Sequence, residues 1–390
     1  CIAMTNMANS PVTQEQLVVH GALPMVLQMA DNRGDVESQR QALLALNNLC
    51  ACEVNHSTMI HKQTLDVLIN AFESPYPDCR EYASFALANI CSNPDYLELL
   101  GDKGGIPPLI MLSRSENINT VCLGTAALRR MSNCDANWRK LIQAGLLDSL
   151  ASSGMSEEKE ILLETAGGLC AISLSEEHRV EIAYKCIKSI VKLCMHYDGE
   201  VARQAVGALA NLSEDVDTHE YIARAEGAKC LVALEAHDAL DIQREATRGI
   251  ANLLSSFRHQ TTIIETGIPG LIHLSHSVDD ECCYHAALCF RKLTPNLKSH
   301  PVLIFSGALK ALFRLMELPN LNTQRQAASA VRDLCANPEN KLKTADEGGI
   351  EALIKLVRQP EEQLQALALA ALRHLSTLDS LKQPIVQARA

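Results

Sequence analysis

The chain is 390 residues long and carries 35 Lys and Arg against 46 Asp and Glu, a net charge of −11. That balance argues against a general nucleic-acid binder, whose footprint is basic. Apolar residues make up 47% and aromatics 4%, which suits a core of Leu, Ile, Val and Ala between closely packed helices; no apolar run is long enough to cross a bilayer and no secretory signal is visible.

Taken in order, the sequence opens on Ala3-Met4-Thr5-Asn6-Met7, which reads as the end of an amphipathic helix. From residue 11 the text then repeats one plan: a short helix, a glycine turn, a second amphipathic helix, a polar link and a longer third helix. Gly21, Gly105, Gly145, Gly227, Gly267, Gly307 and Gly349 mark the turn, where φ > 0 lets the chain reverse sharply. Pro24, Pro107, Pro108 and Pro269 follow at first-turn positions of the second helix. Gln63 and Lys185 stand where two units lack that glycine. No β alternation competes with this reading.

Each third helix carries one phrase, Ala-x-x-Ala-Leu-x-Asn-Leu, written in full from Ala205 to Leu212. It recurs as Ala42, Ala45, Leu46, Asn48, Leu49, as Ala83, Ala86, Leu87, Asn89, Ile90, and as Ala246, Gly249, Ile250, Asn252, Leu253. The Asn slot falls at 6, 48, 89, 130, 171, 211, 252, 292, 333 and 374, at intervals of 40 to 42 residues. A fixed period of this length is the signature of a solenoid, in which each repeat buries its apolar faces against its neighbours. The helix around Glu157, Glu158, Glu160 and Glu164 departs from the pattern with Gly167-Gly168 and Ala171 in the slot. The glycine pair predicts either a local change of curvature or a tight contact made by small residues.

Three helices, a glycine turn and an Asn slot over about 41 residues resemble the armadillo repeat. The resemblance covers the full length and implies an all-α fold, an α-solenoid forming a right-handed superhelix. It implies a single domain over 1–390: 1–10 ends a partial leading repeat, 11–376 holds nine repeats, and 377–390 starts a further one. Because the text begins at Cys1 inside a third helix, it also reads as an excerpt of a longer protein, or as one whose ends partners cover.

In armadillo proteins the third helices line a concave groove, and the resemblance implies the same here. Helical spacing puts the slots eight and four residues before the Asn, and the Asn itself, on one exposed stripe. That stripe holds Arg40, Asn48, Asn89 and Arg130, then a basic run of Arg203, Asn211, Arg244, Arg248, Asn252, Lys292 and Arg325, with Arg291 and Arg332 at its edge. Guanidinium forks pair with carboxylates, and asparagine amides hold a peptide backbone without demanding its sequence. The expected function is a non-catalytic scaffold that binds an extended, acidic partner segment, resembling how β-catenin holds its ligands; the chain resembles scaffolds of the β-catenin and vacuolar type. The competing reading has the same arginines paired with Asp241, Glu245 and Asp279 of adjacent repeats, where exposed pairs contribute little. A second functional reading is a fixed architectural subunit of a cytoskeletal, ciliary or membrane-associated assembly. The importin-α type is rejected, because its tryptophan slots here read Leu44, Phe85, Ala126, Gly167, Gly207, Arg248, Leu288, Ser329 and Ala370.

Chemistry elsewhere is sparse. The run His273 to His285 contains His276, Asp279, Cys282 and Cys283, residue types zinc accepts, but at no trusted spacing. No phosphate loop, dinucleotide fingerprint or nucleophile elbow appears, so neither an enzyme nor a cofactor is expected. Cys50, Cys91 and Cys335 each fall two residues past the Asn slot, a regularity that reads as reduced packing rather than a disulfide framework and places the chain inside the cell, in the cytoplasm.

Overall fold

The structure, a computed structural model, describes residues 2–61 and 63–388. Lys62 lies outside the described residues, as do Cys1, Arg389 and Ala390 at the expected partial repeats. Among the described residues all regular structure is helical. The ten helices that carry the repeated phrase are α1 (Ile2–Ala8), α2 (Val36–Cys50), α3 (Pro77–Ile90), α4 (Ile118–Ser132), α5 (Lys159–Ile172), α6 (Gly199–Leu212), α7 (Leu240–Leu253), α8 (Asp280–Leu293), α9 (Leu321–Ala336) and α10 (Glu362–Leu375). The chain divides into two compact units between Leu193 and Cys194; α1–α5 belong to the first and α6–α10 to the second. Within each unit, successive phrase-bearing helices pack on one another, and second helices pack on the third helix that follows, as Leu23–Ala30 does on α2 and Ala308–Glu317 on α9. Each unit is thus an α-solenoid.

The helices start where short polar side chains can satisfy their free N–H groups. Asp35, Asn117, Asp198, Asp279, Asn320 and Glu361 precede α2, α4, α6, α8, α9 and α10, and each accepts a backbone N–H two or three residues on. Such caps contribute about 1 kcal/mol each. The apolar letters of the phrase are the core: Ala205, Ala208, Leu209 and Leu212 are fully buried, as are Ala246, Ile250 and Leu253. Each Leu or Ile so withdrawn from water stabilises the stack by roughly 1.5–3 kcal/mol.

The turns differ from the sequence expectation in an instructive way. Gly21, Gly145 and Gly307 do adopt positive φ. Beside Gly105, Gly227 and Gly349, the left-handed residue is instead the one before: Gly104, Glu226 at φ 59° and Gly348. There the marked glycine serves close approach, since a Cβ on Gly349 would sit 2.6 Å from the Thr344 carbonyl oxygen. Gly267 stays right-handed, at φ −92°. Gln63 keeps the turn at φ 62°, whereas Lys185 abolishes it: the two short helices fuse into one run, Arg179–Cys194. The glycine pair in α5 leaves that helix unbroken, and a Cβ on Gly167 would collide with the Arg129 guanidinium. Small residues there admit the side chain of the preceding repeat, which pairs with Glu164 at 3.2 Å.

Candidate functional site

The Asn slots recur on equivalent helices, and their side chains reach the neighbouring repeat. Asn89 donates to the Asn47 side chain at 3.0 Å, and Asn252 donates to the Ser213 hydroxyl at 3.2 Å and the Ala210 carbonyl at 3.4 Å. Asn48 donates to Asn9 Oδ1 at 2.6 Å. Asn211 is buried and accepts from Arg248 Nη2 at 2.8 Å. Amide groups expected to face a partner therefore also bridge successive repeats.

The arginines eight residues before the slot share one geometry. Arg203 reaches Asp241 at 3.6 Å, Arg325 reaches Glu361 at 2.8 Å, Arg40 reaches Asp78 at 3.9 Å, and Arg244 binds Asp279. In every case the carboxylate sits at the start of the next phrase-bearing helix, where it also favours the positive end of the helix dipole. Arg244 holds the Asp279 carboxyl below its ordinary range, and the guanidinium is raised in turn. Arg40 and Arg203 also bind acids one turn back, Glu37 at 2.8 Å and Glu200 at 2.5 Å. Arg248 forks between Glu245 at 2.5 Å and Glu214 at 2.6 Å, and Arg332 folds onto Asp333 at 2.7 Å. Asp241, Glu245 and Asp279, the carboxylates that the competing reading names, are all engaged.

Three basic residues of the stripe stand apart. Arg130 and Arg291 are exposed and have no carboxylate partner among the described residues. Lys292 is half-buried, and its ammonium donates only to the Ala251 carbonyl at 2.7 Å and the Ser255 hydroxyl at 2.9 Å. Burial lowers its pKa, with Arg291 beside it adding to the shift. Arg291 and Lys292 in the last turn of α8 form an uncompensated dication.

Elsewhere, side chains that could have carried chemistry have structural partners. Asp279 accepts from the Cys282 N–H at 2.9 Å, and the Cys283 thiol lies 3.4 Å from the Ser277 carbonyl. Burial pushes the Cys282, Cys91 and Cys335 thiols up to about 12, which removes their thiolate character. Among the described residues no three His, Cys, Asp or Glu side chains converge as metal ligands. Among the described residues no helix is long and apolar enough to cross a membrane.

One recurring polar device escaped the sequence reading. Eight residues past the Asn slot, a side chain turns back to the backbone carbonyl two residues past it, at the end of the third helix. His56 donates to the Cys50 carbonyl at 2.7 Å, His219 to Ser213 at 2.9 Å, His300 to Thr294 at 2.7 Å and Gln260 to Leu254 at 3.2 Å. Trp138 Nε1 does the same to Ser132 at 2.7 Å, which explains the tryptophan's place outside the stripe.

Comparison with known proteins places these features. The armadillo/β-catenin-like repeat pattern matches residues 337–377. Vacuolar protein 8 of Schizosaccharomyces pombe is 25% identical over 252 residues, covering 62% of this chain; the chain spans 44% of that relative's length. The crystal structure of an engineered protein superposes with a TM-score of 0.77 at 23% identity, over 96% of this chain and 93% of that one.

Proposed function

We propose that this chain, an armadillo-repeat protein by its repeat pattern and its likeness to vacuolar protein 8, is a protein-interaction scaffold whose phrase-bearing helices bind an extended, acidic segment of a partner, without catalysis. The observation that carries this reading is the Arg291–Lys292 pair, whose charges no carboxylate of the described residues neutralises. Charge-assisted hydrogen bonds from such groups are roughly twice as strong as neutral ones. The exposed ion pairs around them are individually weak, on the order of 0–1 kcal/mol, so an incoming carboxylate exchanges with an internal one at small cost. Asn252, half-exposed at the slot before Lys292, offers its amide to the backbone of the bound segment. Within the cell the reading places the chain in the cytoplasm, at the site of its partner.

The test is fluorescence anisotropy with a labelled extended peptide of alternating Asp and Ser. The expected result is binding that weakens at least tenfold in Arg291→Gln/Lys292→Gln, which removes both charges without setting a carboxylate against the Ala251 carbonyl, while the melting temperature holds. Equal affinity for wild type and variant rejects the reading. Arg244 and Arg248 are poor test positions, because reversing them breaks inter-repeat pairs with Asp279 and Glu214.

A further inference from the structure

The first residue of each opening helix after the slots at 211, 252, 292 and 333 forms a second exposed row in the unit that begins at Cys194. Five residues past those slots stand Val216, Phe257, Leu297 and Pro338, all exposed, and Asp379 after the last slot ends the apolar run. Equivalent positions of the other unit are Pro11, Glu53, Pro94, Asp135 and Glu176, three of the five charged. Neighbouring links are tied directly to one another: Arg258 pairs with Glu220, Asn296 donates to Gln260 at 2.9 Å, and Asn340 bonds His300 at 2.9 Å. The four apolar side chains are therefore adjacent along one edge. Leu297 and Pro338 line one cleft of about 590 Å³, and Leu297 and Phe305 line another of about 460 Å³. Of the chain's six phenylalanines, the two exposed ones are Phe257 at 80% and Phe305 at 93%.

Apolar side chains concentrated in this way mark an interaction surface. The charge around the row is uneven. Lys298, next to Leu297, and Arg291 have no carboxylate partner among the described residues, whereas the uncompensated acids Asp217 and Glu339 sit at the row's two ends. We propose that this edge docks an amphipathic helix of a partner protein, its apolar stripe on Val216, Phe257, Leu297 and Pro338 and acidic residues at its centre facing Lys298 and Arg291. Stacked helices lie 8–10 Å apart, so the row offers one anchor per such step. A helix repeats a face every seven residues, about 10.5 Å. A strand returns to one face at about 6.8 Å and falls out of step.

This surface shares Arg291 with the stripe of Asn slots and meets it again at the Leu297–Pro338 cleft, which Arg332 and Asp333 also line. The probe is a three-heptad helical peptide with Leu at the anchor positions and Glu flanking the central ones. Two controls replace Glu by Lys, or insert prolines that forbid a helix. Expected are binding by the Glu peptide at least tenfold tighter than by either control, and a tenfold loss in Phe257→Asp and in Leu297→Ser. Lys292→Gln leaves it unchanged, whereas it weakens binding of the extended Asp/Ser peptide of the preceding test. Both row variants change exposed side chains, and an unshifted melting temperature confirms folding; if one unfolds, the other carries the test. Equal binding by the Lys peptide, equal binding by the proline peptide, or indifference to both row variants overturns the proposal, as does a concentration-dependent dimer in sedimentation that the Glu peptide fails to dissociate.

Discussion

Glu235 ends the helix Gly227–Leu234 with 1% of its surface exposed and neither carboxyl oxygen hydrogen-bonded. Burial raises its pKa to about 9 from 4.5. The folded chain thus keeps the proton that the unfolded chain releases above about pH 4.5, and stability falls as pH rises from there through 9. At neutral pH that loss approaches roughly 3 kcal/mol. Glu235→Gln is expected to raise the unfolding free energy at pH 7 by about 2 kcal/mol and to flatten its pH dependence between pH 5 and 8, read by urea titration; identical slopes contradict this. His259 acts with the opposite sign. Its ring is buried, donates to the His219 carbonyl at 3.1 Å, and has its pKa lowered to about 4 by burial and by His219. The neutral ring stabilises fully above the unfolded value near 6.5, and that contribution is lost as pH falls toward 4. His259→Gln therefore loses less stability than wild type between pH 6.5 and 4. Neither residue was legible in the sequence, because both lie off the periodic slots and owe their properties to neighbours about one repeat away.

Glu226 is held at φ 59° in a turn that glycine would occupy without cost, while Gly227 follows it inside the helix with Ile222 against its α-carbon. Glu226→Gly is expected to stabilise by about 0.5–1 kcal/mol, less what unfolded glycine regains in entropy. Gly227→Ala destabilises, because its methyl meets Ile222 Cγ2 at 2.7 Å. Calorimetric melting of the two variants in opposite directions is the check. The expected left-handed role for Gly227 was off by one residue. A glycine required for close approach and one required for positive φ look alike in a sequence. The third helices were legible in full, since Ala205, Leu209 and Leu212 repeat at helical spacing with a period of 40 to 42. The fused helix Arg179–Cys194 was not: a lysine in the turn position signals only that glycine is missing, and Gln63 solves the same problem the other way. The turned-back side chains at His56, Trp138, His219 and Gln260 were invisible because three residue types perform one task.

Across the molecule, a net charge of −11 repels any acidic partner at a distance, while in the proposed reading Arg291 and Lys292 attract it on contact. The stripe's arginines and three of their carboxylates, Asp241, Glu245 and Asp279, could be named from the sequence. What the sequence left open was the balance between them, which the pairs to Asp241, Asp279 and Glu361 decide in favour of staples between repeats. The charge left over is small and local. Raising salt from low to physiological is therefore expected to change affinity for an acidic peptide less than tenfold, since screening weakens the long-range repulsion and the contact attraction together. The most direct measurement is photo-crosslinking: an extended Asp/Ser peptide carrying a benzophenone, with adducts mapped by mass spectrometry. Adducts clustered on α7, α8 and α9 around Asn252, Lys292 and Arg332 are the expected result. Adducts on second helices such as Ala308–Glu317, or spread evenly over the chain, would contradict a binding face built from the repeated Asn slots.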